Sequence, residues 1–188
     1  MRQTSLRLLL GTATLLVLAA CASSSSGGAP AAAPRTSTQT MGGSDVGRLA
    51  VTTVVDADVI SVPFDADAVF KVLPSVYDSL GVVVNLIDPA RKQVGNSALK
   101  IRNRLGKNPL SYYLDCGSGQ IGPNADSYDV VLSVSTTVSS GGAGQASLAT
   151  LVDAQARPAT YNQAYSRCGS KGLLEQKIAD AVTKKLRK

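Results

Sequence analysis

Residues 8–20 are thirteen apolar or small side chains placed behind two arginines, Arg2 and Arg7, with no acid before them. This run limits what the rest of the chain can become. At about 1.5 Å per helical residue it covers only ~20 Å, short of the ~30 Å that a membrane span requires. The order of basic start, apolar middle and small residues Ala19-Ala20 before Cys21 is that of a cleaved secretory signal. Residues 1–20 are therefore read as a signal peptide. The chain from Cys21 onward then has to fold outside the reducing cytoplasm.

Leu18-Ala19-Ala20-Cys21 resembles the lipobox of bacterial lipoproteins, and it falls where the apolar run ends. The resemblance implies a thioether-linked diacylglycerol on Cys21, cleavage just before it, and acylation (palmitate among the chains) of the new amine. Two or three acyl chains, at ~0.8 kcal/mol per buried methylene, anchor a protein durably, whereas one binds only reversibly. Ala22 rather than Asp follows the lipidated residue. That favours the outer membrane with the domain facing the periplasm; the inner membrane or a Gram-positive cell membrane are the alternatives. Residues 21–44 are rich in Ser, Gly, Thr, Ala and Pro. They lack the apolar content to pack, so the expectation is a disordered tether with an r.m.s. reach of ~25 Å.

Residues 45–188 are expected to form one α+β domain, with an antiparallel sheet and two main helices, about residues 65–80 and 171–187, on one face. Arg48–Val62 reads as extended chain interrupted at Asp56-Ala57-Asp58. Val69, Phe70, Leu73, Val76, Tyr77 and Leu80 recur at helical spacing, with Asp65 or Asp67 as cap, a kink expected at Pro74 and Gly81 at the end. Val82–Ile87 reads as a buried strand paired with a second over Val94 and Ala98–Leu105. Ser111–Leu114, Tyr128–Val138 and Leu148–Ala156 read as further strands, with a flexible loop over Ser139–Gly144. Tyr161 and Tyr165 suggest a helical turn, and Ser170 a cap for the last helix.

Cys116 and Cys168 are the only thiols beyond Cys21. In an exported chain their simplest use is a disulfide. Zinc and classical triad chemistry are disfavoured by the absence of histidine. Gly117–Gly122 matches G-x-G-x-x-G, but Pro123 stands where a phosphate-binding helix would have to begin, so a turn is expected. Ser97-Ala98-Leu99-Lys100 matches S-x-x-K but lies in an alternating strand, which separates the two side chains. Asp56, Asp58, Asp65 and Asp67 are read as turn and cap residues rather than a catalytic carboxylate pair.

The net charge of +6 is unevenly spread. Arg91, Lys92, Lys100, Arg102, Arg104 and Lys107 succeed one another without an acid, a candidate basic surface towards anionic lipid or lipopolysaccharide. The element order over residues 46–188, with its helix, strand–turn–strand and long last helix, resembles a helix-grip unit. Such units occur in the lipoprotein C subunit of the outer-membrane β-barrel assembly machinery. The resemblance implies a non-catalytic envelope role: binding a protein partner or supporting outer-membrane assembly, with no cofactor beyond the lipid and no nucleic acid. The alternative is a carrier or sensor of an apolar ligand held between helix and sheet. A carrier requires an apolar cavity there, whereas a partner-binding module requires a filled core and an exposed patch or sheet edge.

Overall fold

The computed structural model describes residues 35–41, 49–160 and 163–188. The signal sequence and Cys21 lie outside the described residues, as does most of the tether. In chain order the strands and helices are β1 (Arg35–Met41), β2 (Leu49–Val55), β3 (Asp58–Val62), α1 (Ala66–Ser79), β4 (Leu86–Asp88), β5 (Gln93–Arg102), β6 (Arg104–Leu105) and β7 (Asn108–Pro109). They continue as β8 (Leu114–Asp115), β9 (Ser118–Gly119), β10 (Gly122–Pro123), α2 (Asn124–Ser127), β11 (Asp129–Gly142), β12 (Gln145–Arg157), β13 (Ser166–Ser170) and α3 (Leu173–Leu186). β1 and β2 form a separate antiparallel pair, so residues 35–41 of the stretch read as tether are in strand.

The chain is α+β. Its main sheet is antiparallel, in the order β4-β5-β11-β12-β13-β8, and β3 also pairs with β12 beside β13. Two long strands organise it. β11 and β12 pair from Asp129↔Arg157 to Gly142↔Gln145, and Ala143 and Gly144 turn between them with φ of 47° and 74°. Two consecutive positive-φ residues give a tight hairpin whose twist matches that of the strands. The loop expected over Ser139–Gly144 is thus shorter than the sequence suggested.

Alternation along β11 decides the faces. Val130, Leu132, Val134, Thr136 and Val138 are buried towards the helices. α1 lays Val69, Leu73, Val76 and Tyr77 on them, and α3 adds Leu174, Ile178 and Val182, all at most 1% exposed. Both helices therefore cover one face of the sheet. Asp65 caps α1, its carboxylate accepting from the amides of Asp67 at 2.8 Å and Ala68 at 3.3 Å. Gly81 succeeds the last turn with φ of 81°, packed so that a Cβ would meet the Gly106 amide nitrogen at 3.1 Å.

Four further local readings change. Val82–Asn85 is not strand, and Val83 and Ile87 are 67% and 55% exposed. Here β5 bulges against β11 between Leu132 and Val134, and asparagines replace the ladder. The Asn96 amide donates to the Val83 carbonyl, and the Asn85 side-chain carbonyl accepts from the Ser97 amide at 3.0 Å. Residues 110–112 form a 3₁₀ turn behind Pro109 instead of extended chain. Residues 163–165 are irregular, because β12 draws the next stretch of chain into β13 through Ala154↔Cys168; Tyr161 lies outside the described residues. The cap of α3 is Gly172, with φ of 74°, while Ser170 takes a different role.

Candidate interaction face

Cross-strand neighbours share a face, so the register assembles the surface opposite the helices. Lys100 lies beside Val131, which lies beside Gln155; Arg102 lies beside Asp129, which lies beside Arg157. At this end of the sheet Lys100, Arg102, Asp129, Val131, Arg157 and Tyr165 line an open groove of about 380 Å³. Arg102 is held in it by Asp129, with Nη2 and Nε at 2.6 and 2.9 Å from Oδ1. Arg157 is held by Tyr165, its guanidinium carbon 4.8 Å from the ring centroid. Among the described residues Lys100 has no acidic partner. Three cations thus face one carboxylate. Further along the same face Arg167 and Asp153 neutralise each other at 3.1 Å.

The basic segment of the sequence divides in space. Lys100 and Arg102 enter the groove. Arg91 turns back to Asp88 at 3.9 Å, and Lys92 bonds Asp67 at 2.7 Å, tying the β4–β5 turn to the start of α1. That contact holds the Asp67 carboxyl below its usual range, through the hydrogen bond first and the charge second. Arg104 donates to the Lys107 carbonyl within the β6–β7 hairpin. Asp129, Arg157 and Tyr165 are the charged and aromatic groove residues that sequence reasoning did not place there. Only the pairing of β12 with β11 brings Arg157 opposite Asp129, and no local pattern announces it.

The same strand offers a second feature. β4 pairs only with Gln93–Gly95 of β5. Beyond the bulge, among the described residues, no strand pairs with the outer edge of 99–102. Lys100 and Arg102 are exposed there, as are Ser97 and Ala98 just before them.

The remaining candidates are structural in their contacts. Cys116 and Cys168 form a disulfide, joining the chain after β8 to β13, which also pair directly at Gly169↔Asp115 and Ser170↔Leu114. Gly117–Gly122 is the β9–β10 hairpin, with Ile121 at its tip 87% exposed. A helical turn does open two residues on, but α2 is four residues long. Ser97 and Lys100 lie in β5. Asp65 and Asp67 serve the cap and Lys92, and Asp56 is exposed.

One buried acid was not foreseen. Glu175, in the first turn of α3, is 3% exposed. Its Oε1 accepts from the Ser170 hydroxyl at 2.6 Å, and the same hydroxyl accepts from the Gly172 amide at 3.2 Å. Its Oε2 has no partner among the described residues. Burial pushes the Glu175 carboxyl up, against the Ser170 hydrogen bond, and the Asp58 charge adds to the rise. The Tyr77 hydroxyl reaches Thr136 at 2.9 Å, and Thr136 reaches Thr150 at 2.9 Å, forming a chain from α1 across two strands. Burial raises the Tyr77 phenol well above its usual range.

Comparison with protein-family models and with curated proteins finds no match. No helix among the described residues is long and apolar enough to cross a membrane.

Proposed function

We propose that the chain is a lipid-anchored envelope protein whose folded part is a non-catalytic binding module, held by Cys21 at the outer membrane and facing the periplasm. The signal-like run, Leu18-Ala19-Ala20-Cys21 and the disulfide of an oxidising compartment support the location. The observation that carries the binding role is the outer edge of β5 at 99–102, with which no strand pairs among the described residues. Such an edge accepts an extended segment of a partner as an added strand. Its Lys100 and Arg102 oppose indiscriminate pairing and favour an acidic strand.

The carrier alternative has less support. Tyr77 of α1 touches Thr136 of β11 directly, and α1 and α3 fill the face with side chains almost wholly buried. An apolar ligand between helix and sheet would have to displace that chain of hydroxyls.

The test is a photo-cross-linking residue at Ala98, exposed just before the edge, against one at Asp78, exposed on α1. In envelopes the Ala98 probe is expected to capture one recurring protein, weakened by Lys100→Glu, while the Asp78 probe does not. Equal capture at both positions, or capture indifferent to Lys100→Glu, contradicts the reading.

A further inference from the structure

The groove beside that edge has a composition that an added strand would not explain. We propose that it is a binding site for a phosphorylated sugar, either free or as the headgroup of a lipid. This is a second ligand: its site shares Lys100 and Arg102 with the strand edge and adds Asp129, Arg157 and Tyr165.

Charge is the first reason. Lys100, Arg102 and Arg157 against Asp129 leave two positive charges in one concavity. A phosphate monoester carries about −1.5 to −2 near neutral pH, which matches that excess better than a single carboxylate does. Two of the cations are also pre-positioned. Asp129 holds Arg102, and the Tyr165 ring holds Arg157, so less side-chain freedom is lost when an anion arrives. Lys100 supplies the flexible third contact.

The rest of the lining fits a sugar. The groove, about 380 Å³, lies in the range of small-molecule sites and is larger than an inorganic anion needs. Val131 gives it an apolar floor between the charges. Asp129 presents Oδ2 as an acceptor with no partner among the described residues, since both Arg102 contacts go to Oδ1. The Tyr165 hydroxyl makes no hydrogen bond among the described residues and is open to a sugar hydroxyl.

The experiment titrates the full chain in neutral detergent micelles by calorimetry with glucose 6-phosphate, inorganic phosphate, glucose, and lipid A in mixed micelles. The assay requires no lipid on Cys21, so its outcome is independent of the anchoring proposal. Glucose 6-phosphate or lipid A should bind at least ~10-fold more tightly than inorganic phosphate or glucose. Binding should weaken with salt, because the groove is open to solvent. The Lys100→Ala and Arg157→Ala pair should abolish it, and Tyr165→Phe, which keeps the ring under Arg157, should weaken it several-fold. Binding of lipid A alone identifies the headgroup as the source, and binding of both identifies the shared sugar phosphate. The inference is overturned if inorganic phosphate binds as tightly as either sugar phosphate, if none binds, or if the folded Lys100/Arg157 variant binds unchanged.

Discussion

Glu175 is the residue whose behaviour the fold constrains most sharply. Burial favours its neutral form, so its folded pKa lies above the unfolded one. The stability this contributes is complete below the unfolded carboxylate range and is lost as pH rises through the folded value. Glu175→Gln removes the titration while keeping a polar group for Ser170. In urea titrations the variant should exceed the parent at pH 7 and converge with it near pH 4; a parent that is the more stable at pH 7 contradicts this. Tyr77→Phe leaves Thr136 its bond to Thr150, and should cost ~1 kcal/mol, the net value of one hydrogen bond. Replacing Cys116 and Cys168 by serine should cost ~2–5 kcal/mol, since the bridge closes a loop across a sequence separation of 52. The cysteines were legible because two thiols in a chain read as exported have few other uses. Glu175 was not: charged residues open many helices, and only the packing of α3 onto the sheet shows that this one is buried.

Individual elements were legible to the extent that their periodicity was local. α1 is the clearest, because its apolar spacing, its Asp65 cap and its Gly81 stop all point to one helix. Asp65→Ala should lower stability by ~1 kcal/mol, measured by thermal unfolding. Val82–Asn85 was misread because three consecutive valines have strand propensity, yet the bulge in β5 hands the pairing to Asn85 and Asn96. Gly95 shows how closely β5 and β11 approach there. A Cβ on it would collide with the Val134 carbonyl oxygen and lie 2.7 Å from the Ser135 Cα. Gly95→Ala should therefore cost ~1–3 kcal/mol by overpacking, read from the urea midpoint. An alanine tolerated without loss would show that the two strands are not so close. Tyr165 obeyed the same logic as Val82–Asn85: a spacing of four suggested a helical turn, but the pairing of Ser166, Arg167 and Cys168 with β12 overrode it.

At the scale of the whole molecule the architecture separates two faces of one sheet. The helices seal the inner face. One end of the outer face carries the charges and the groove, while Ser135, Ala149 and Leu151 further along it are buried, and among the described residues no strand pairs with the outer edge of 99–102. The α+β class was readable because a run of strand periods separates the two main helices, instead of strands and helices alternating one by one. The groove was not, since it needs Lys100 and Arg157 brought together by the order β5-β11-β12. Both proposed ligands meet on that outer face, where β5 contributes Lys100 and Arg102 to each. The central claim is that this face operates at a membrane, on a domain tethered through Cys21. The most direct measurement is intact-protein and N-terminal peptide mass spectrometry of the chain extracted from envelopes. The account predicts a first residue of Cys21 carrying the mass of a diacylglycerol and an amide-linked acyl chain, both lost in Cys21→Ala. A chain that still begins at Met1, or one that starts elsewhere without lipid, contradicts it.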